Sequence, residues 1–200
     1  MRVYLACASF CRPGTIKQIP ATDYRYFPSY FCYFALPATD TGTGYTIMQQ
    51  LRLIKLRPTD ALPFGLLLLA DETIAAIEKY IYSSAVYTLM NAQEMIGVAA
   101  LYPLSADDLE IKNIAVAASH QNRGIGSFLI QKIIEIAGRQ QYRTLIVGTS
   151  DTGFQQIRFY ERNGFRKYAL RKNFFTTHYP HPIFENGIQL KDMVLLRQSL

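Results

Sequence analysis

The stretch Ile114-Ala-Val-Ala-Ala-Ser-His-Gln-Asn-Arg-Gly-Ile-Gly126 is the most informative segment for the fold. Its apolar start, Ile114–Val116, predicts the end of a strand, and Gln121–Gly126 predicts a small-residue loop that leads directly into a helix. Small residues let backbone N–H groups approach a ligand closely, and the start of a helix adds about half a positive charge. The segment therefore predicts a cradle for a phosphate group. A glycine-containing loop that merely precedes a helix is the alternative.

Two familiar phosphate-binding loops do not fit this segment. A P-loop needs Lys followed by Ser or Thr at the start of the helix, and Gly126-Ser127-Phe128 supplies no Lys. A dinucleotide fingerprint needs a third small residue at the position where Leu129 stands. The loop therefore belongs to neither class.

The loop opens a longer unit of alternating elements. Gly124–Arg139 has the apolar spacing of an amphipathic helix, and Leu145–Gly148 resembles a short buried strand. Thr152-x-x-Gln155 has the pattern of a capping box, and Asn163-Gly164 is typical of a helix end. Together these elements predict a strand, helix, strand and second helix.

The remaining elements predict a mixed α/β fold of the α+β type. Helical patterns cover Pro58–Ala70 and a second segment that opens at Asp71-Glu72, and Asn91–Glu94 is typical of a hairpin turn. The other predicted strands are Leu51–Leu56, Val86–Met90, Met95–Leu104, Leu109–Ala118, Phe165–Leu170 and Ile188–Leu196. The order β-α-α-β-β-β-α-β-α-β-β describes an antiparallel meander that leads into a βαβ unit.

Residues 1–47 differ in composition from the rest of the chain. They hold all three cysteines, four of the nine prolines and only two acidic residues. The apolar run Val3–Ala8 is shorter than the core of a secretion signal. We predict that 1–47 is a poorly ordered extension or a start of translation assigned too early, and that 48–200 forms the domain.

The overall composition is that of a globular protein. Half of the residues are hydrophobic, 18% are charged, and the net charge of +6 is too small to indicate a nucleic-acid-binding protein. The longest apolar run, Ala61–Ala70, contains Pro63 and Gly65 and is shorter than the roughly 20 residues of a membrane span. The sequence therefore predicts a cytoplasmic protein with no nucleic-acid or membrane partner.

The two motifs in this order resemble the GNAT acetyltransferase superfamily. They are the Gln121-x-x-Gly-x-Gly126 loop and the helix end Phe159-Tyr-Glu-x-x-Gly-Phe165, and the resemblance covers about residues 48–200. The tail, with Asn173-Phe-Phe-x-x-His178-Tyr179, resembles a YvbK-like bacterial subgroup of that superfamily. The resemblance implies a mostly antiparallel twisted sheet with a βαβ cofactor unit and flanking helices. It also implies that acetyl-CoA donates an acetyl group to a primary amine by direct attack in a ternary complex.

The resemblance assigns the cofactor to named residues. Its pyrophosphate is expected on the loop backbone, its pantetheine arm on the edge of the preceding strand, and its thioester carbonyl near the Ile114 N–H. The family often has an Asn at the position of Gly153, and Thr149 or Ser150 is the expected replacement. The predicted cofactor-binding residues are Ile114, Ala115, Val116, Gln121, Asn122, Arg123, Gly124, Ile125, Gly126, Ser127 and Ser150.

The resemblance also suggests catalytic residues. Tyr160 is the expected acid that protonates the departing thiolate, with a core aromatic residue as the alternative. Glu110 is the candidate base, acting directly or through water, and His178 and His181 are alternatives. No residue spacing indicates a metal site or a Ser/His/Asp triad, and all cysteines lie in the doubtful extension.

Charge is distributed unevenly within the predicted domain. Residues 120–172 contain ten Lys or Arg and three acidic residues, whereas the rest of 48–200 is slightly acidic. The first region suits a polyanionic cofactor and the second a cationic amine, although a solvated basic face gives the same pattern.

Two other classes of function are alternatives to an acetyltransferase: a CoA-binding sensor without turnover and a basic nucleic-acid-binding domain. The acceptor, a small molecule or a peptide, and the choice between monomer and homodimer stay open.

Overall fold

The computed structural model describes residues 50–185 and 187–200. The predictions for residues 1–47 lie outside this part of the chain. Its strands are β1 Leu51–Lys55, β2 Ala85–Asn91, β3 Glu94–Pro103, β4 Asp108–Val116, β5 Thr144–Ser150, β6 Arg166–Arg171, β7 Phe184–Glu185, β8 Ile188–Gln189 and β9 Met193–Ser199. Seven of them form one sheet in the order β1-β2-β3-β4-β5-β9-β6, in which only β4 and β5 are parallel. The predicted mixed α/β fold with a mostly antiparallel sheet is confirmed.

Helices cover the sheet and are of unequal length. Two short ones, α1 Phe64–Leu67 and α2 Ile74–Glu78, connect β1 to β2. The longest, α3 Ile125–Arg139, connects β4 to β5 and buries Leu129, Ile130 and Ile133 in the main core. Helix α4 Phe154–Arg162 connects β5 to β6, and α5 Phe174–His178 follows β6. The amphipathic pattern of residues 124–139 thus predicted its helix correctly, because the apolar stripe packs on the sheet.

The helix predicted over Pro58–Ala70 is wrong for most of its length. The Arg57 N–H donates to the Asp60 carboxylate at 2.8 Å, which forms a turn, and the helix begins only after Pro63. The second helix begins at Ile74 rather than at Asp71-Glu72, since Thr73 is its N-cap and accepts from the Ala76 N–H at 3.1 Å. Asp71 is instead buried.

The capping box predicted at Thr152 and Gln155 is also wrong. Gly153 occupies the N-cap of α4 and no side chain caps this helix. The Thr152 hydroxyl instead contacts the Ser150 hydroxyl at 2.9 Å. The predicted helix end is confirmed, since α4 stops at Arg162 and Gly164 has a φ of +95°.

The strand predicted over Ile188–Leu196 is two separate strands. The first, β8 Ile188–Gln189, pairs with β7 Phe184–Glu185 in a small hairpin. The second, β9, lies between β5 and β6 and pairs with both. Because both edges of β9 are occupied, β9 has no edge with which to pair across a dimer interface.

Candidate active site

Strands β4 and β5 lie side by side only over their first halves. Their parallel pairing runs from Asp108 and Thr144 to Ile111 and Val147. Beyond that point β5 continues along β9, whereas β4 continues along β3 as far as Val116. The strands therefore diverge, and the second half of β4 has no described strand on the side of β5.

A bulge in β4 marks the point of divergence. Ala100 of β3 pairs with Asn113 and the next residue, Leu101, pairs with Ile111, so Lys112 is the extra residue. A bulge bends its strand and increases the local twist. The bend thus lies where β4 separates from β5.

The open edge of β4 exposes backbone groups of two of the expected residues. In an antiparallel pair, successive residues direct their N–H and C=O groups alternately toward and away from the partner. The Ala117 N–H donates to the Ile96 carbonyl of β3 at 2.8 Å, which sets this alternation. Ile114 and Val116 therefore direct their backbone groups toward the opening, whereas Ala115 directs its own toward β3.

The loop after β4 leads into the N-terminus of α3. Gln121 Nε2 donates to the Val116 carbonyl at 2.7 Å and ties the loop to the end of the strand. Asn122 and Gly124 have φ values of 62° and 76°, and both are exposed, as is Arg123. The first turn of α3 contains Ile125, Gly126 and Ser127, whose N–H groups precede the bond from Phe128 to Gly124. Such N–H groups have no acceptor within the helix, and the helix dipole favours an anion at this end.

The start of α4 is filled by side chains. A Cβ at Gly153 would lie 3.1 Å from Gln156 Oε1 and 3.2 Å from the Ser150 carbonyl. The Ser150 hydroxyl donates to Glu185 Oε2 at 3.3 Å, and Gln156 Nε2 donates to Glu185 Oε1 at 3.2 Å. Burial raises the pKa of Glu185, against the effect of these donors. The Ser150 hydroxyl is thus already held by a carboxylate from the β7–β8 hairpin.

Glu110 is fully buried on β4 and has a cationic partner. Its Oε2 lies 2.7 Å from Nζ of Lys112, which is 1% exposed. Burial raises the pKa of Glu110, while Lys112 and Arg171 oppose this rise. The sequence analysis did not predict this pair, although Glu110 and Lys112 are two residues apart and such residues share a face of a strand.

Tyr160 lies in the core at the last turns of α4. Its side chain is 1% exposed and packs edge-on against the rings of Phe159 and Phe165, at 5.3 and 5.6 Å between centroids. Its carbonyl accepts from the Phe165 N–H at 3.1 Å, which closes the end of the helix. The motif Phe159–Phe165 therefore fixes the position of the Tyr160 ring.

The histidines considered as alternative bases lie on the C-terminal segment. His178 Nδ1 donates to the Phe174 carbonyl at 2.9 Å, and its ring stacks on Phe174. His181 is exposed in the loop before β7. These contacts give His178 a structural position at the end of α5.

A buried polar cluster that the sequence analysis did not predict faces the same part of β4. Asp71 Oδ2 accepts from the Tyr80 hydroxyl at 2.6 Å and from Asn113 Nδ2 at 3.0 Å. In the sequence, Asp71 has the pattern of an acidic residue at the start of a helix, so nothing in the neighbouring residues indicates that it is buried.

Within residues 50–185 and 187–200, no group of three His, Cys, Asp or Glu residues is placed to hold a metal ion. No helix in this part is long and apolar enough to cross a membrane.

The mostly antiparallel sheet, with β4 and β5 diverging beside the start of α3, is the arrangement of an acetyltransferase fold. The model of the acetyltransferase (GNAT) family matches residues 60–165, and the chain belongs to this family.

Individual relatives agree with this assignment. The uncharacterized N-acetyltransferase YvbK of Bacillus subtilis (strain 168) is 38% identical over 153 residues, which are 76% of this chain and 99% of that protein. A GNAT family acetyltransferase from Elizabethkingia anophelis, solved with acetyl-CoA bound, is 40% identical with a TM-score of 0.73, covering 76% of this chain and 99% of that one. A Bacillus subtilis acetyltransferase in complex with CoA is 37% identical with a TM-score of 0.70, covering 75% and 99%.

Proposed function

We propose that this protein transfers the acetyl group of acetyl-CoA to a primary amine, by direct attack in a ternary complex. The observation that carries the proposal is the open edge of β4 beside the N-terminus of α3. Two of the related structures were solved with acetyl-CoA or CoA, which supports the choice of donor. The acceptor is a small-molecule or peptide amine, and the proposed location is the cytoplasm, where CoA thioesters are available.

The residues present fit such a donor. The pyrophosphate is assigned to the loop Gln121–Gly126 and Ser127, at the N-terminus of α3. The Gln121 N–H itself donates to the Ala118 carbonyl at 3.3 Å, so the donors to the pyrophosphate come from the residues that follow it. The edge at Ile114–Val116 offers donors and acceptors to a peptide-like arm, as in strand addition. The Ile114 N–H is assigned to the thioester carbonyl, which gains negative charge as the amine attacks. Ser150, at the end of β5, is assigned a hydrogen bond to the cofactor through its hydroxyl, which also donates to Glu185.

The decisive experiment is a screen of the full chain for acetyl-CoA-dependent thiol release with a panel of amines, alongside calorimetric titration with acetyl-CoA. Binding of acetyl-CoA and thiol release with at least one amine are the expected results. Failure to bind acetyl-CoA would overturn the proposal. Binding without turnover for any amine would favour the second candidate, a CoA-binding sensor. The sensor is supported by the position of Glu110, because a fully buried carboxylate that is paired with Lys112 is poorly placed to act directly as a base.

Tyr160 is proposed as the acid that protonates the departing thiolate. The change of Tyr160 to Phe keeps the ring packing against Phe159 and Phe165 and removes only the hydroxyl. We expect kcat for the acceptor found in the screen to fall about 10²–10³-fold, as for loss of a general acid. Tyr82→Phe is the matched control, since Tyr82 is exposed. Unchanged turnover of the Tyr160 variant would remove the acid role.

Glu110 is proposed as the base for the attacking ammonium, acting through water because its side chain is fully buried. Its raised pKa moves it toward the operating pH, where a base is most effective. For Glu110→Gln we expect kcat/KM to fall about 100-fold and to lose the acidic limb of its pH profile. A profile that matches the unaltered protein would exclude Glu110, and the open alternatives would then be His178 and His181.

A further inference from the structure

We propose that Asp71 is a positioning residue for acetyl transfer, which acts through Asn113 to hold the Ile114 N–H toward the thioester carbonyl. The inference rests on the proposed function, which assigns the Ile114 N–H to that carbonyl. Asp71 lies between α1 and α2, outside the loop and strand that the sequence motifs identify.

The contacts of Asp71 connect the helical layer to β4. Its Oδ2 accepts from Tyr80, just after α2, and from Asn113 of β4. Asn113 Nδ2 also donates to the Leu67 carbonyl at the end of α1, at 3.0 Å. All three side chains in this cluster are at least nine-tenths buried. The Asn113 amide is thus fixed from two sides by groups of the helical layer.

Within the described residues, the segment that Asn113 anchors has a neighbouring strand along one edge. The bulge at Lys112 interrupts its register with β3, and its pairing with β5 ends at Ile111. From Asn113 onward, β4 is held by β3 along that edge, by core packing, by the bond from Gln121 to the Val116 carbonyl, and by the Asn113 side chain. The Asn113 amide is the hydrogen-bonded link from this segment to the helical layer. Ile114 is the next residue, so a shift of Asn113 reorients the Ile114 N–H.

Burial of the Asp71 carboxyl group is unfavourable when it is ionised. Burial raises its pKa to about 7, while hydrogen bonds from Tyr80 and Asn113 and the charges of Lys112 and Lys79 favour the ionised form. An apolar residue would avoid the penalty of burying a charge. Buried ionisable groups with shifted pKa values concentrate at functional sites. The ionised carboxylate is also the stronger acceptor for Asn113.

The test compares affinities for acetyl-CoA and for CoA. The two ligands share the nucleotide, the phosphates and the pantetheine arm, and only acetyl-CoA has the carbonyl that Ile114 is assigned to bind. Asp71→Asn keeps the shape of the side chain and removes the charge. We expect its preference for acetyl-CoA over CoA to fall about fivefold, while its affinity for CoA is retained. The infrared carbonyl stretch of bound acetyl-CoA is expected to move toward its value in water.

Tyr80→Phe is the matched control. It removes the other hydrogen bond to Asp71, which does not lead to β4. We expect it to lower stability. Because the Tyr80 hydrogen bond lowers the Asp71 pKa, its loss raises that pKa, and the preference for acetyl-CoA in Tyr80→Phe is expected to fall at a higher pH than in the unaltered protein. Above that pH, where Asp71 is ionised in both proteins, the preference is expected to be unchanged. Equal loss of both ligands in Asp71→Asn, or an equal loss of preference in Tyr80→Phe at the higher pH, would overturn the inference, because either result indicates general loosening.

The pH dependence of the unaltered protein tests the inference without any variant. Protonation of Asp71 removes its charge, so the preference for acetyl-CoA is expected to be full at pH 8 and to fall as the pH drops through about 7. The ratio of affinities cancels the titration of the shared phosphates. Glu110 also titrates on this face of β4. The Asp71→Asn variant must therefore lose the pH dependence of the preference, and a pH dependence that persists in this variant would overturn the inference.

If the unaltered protein binds neither ligand, the proposed function and this inference fall together. If both bind and acetyl transfer proceeds with a preference that is flat in pH, only this inference falls.

Discussion

The two helices that follow β4 and β5 begin alike and differ in what faces their first turns. Gly124 precedes α3, Gly153 precedes α4, and neither helix has a side-chain cap. At α3 the preceding loop residues Asn122–Gly124 are exposed. At α4 the space is occupied by Ser150, Gln156 and the buried carboxylate of Glu185. The start of α4 is therefore filled by the chain's own side chains, whereas the loop before α3 is exposed.

The largest expected effect comes from changing the open helix start. Gly124 has a left-handed backbone, which a β-branched residue adopts only with strain. We expect Gly124→Val to weaken acetyl-CoA binding about 100-fold, or roughly 2.8 kcal/mol, in a calorimetric titration. Gly153→Ala is the matched change at the filled start, where φ is −79° and only crowding opposes a Cβ.

Gly153→Ala is expected to act on stability instead. Overpacking costs about 1–3 kcal/mol in urea unfolding, and the affinity for acetyl-CoA should change less than about threefold. If Gly124→Val and Gly153→Ala lost affinity for acetyl-CoA equally, the claim that only the start of α3 binds the cofactor closely would be wrong.

The smallest effect is expected at Ser150, the one predicted cofactor residue on the filled side. Its hydroxyl is shared with Glu185 and Thr152, so it has little capacity left for a ligand. Ser150→Ala should weaken acetyl-CoA binding about threefold and lower stability by about 1 kcal/mol. A tenfold loss of affinity would show that the start of α4 also contacts the cofactor strongly, whereas no loss would remove Ser150 from the site.

Sequence alone predicted the parts of the molecule that local pattern controls. The strand pattern around Ile114, the glycine loop and the apolar stripe of α3 each follow from neighbouring residues, so the fold class was accessible and the phosphate cradle could be proposed. The class of cofactor came from the order of two motifs rather than from any single residue.

Most of the missed features depend on contacts between residues that are distant in sequence. The Glu110–Lys112 pair is the exception, because residues two apart in a strand share a face and this spacing was visible in the sequence. Asp71 turns inward because Tyr80 and Asn113 offer donors. Glu185 fills the start of α4 from 29 residues beyond Gln156. Periodicity along the chain contains no signal for such pairings. This explains why the sequence predicted the loop before α3 and missed the polar face of β4.

The position of β9 has a consequence for synthesis of the protein on the ribosome. Among the strands of residues 50–185 and 187–200, β6 pairs only with β9, and β9 is made more than twenty residues after β6 ends. Until Met193–Ser199 emerges, β6 has no strand beside it, and β5 lacks its antiparallel neighbour. The meander β1–β4 and α3 can assemble earlier, because their partners are already present. The cofactor loop is therefore expected to form on the nascent chain before the sheet that supports α4 is complete.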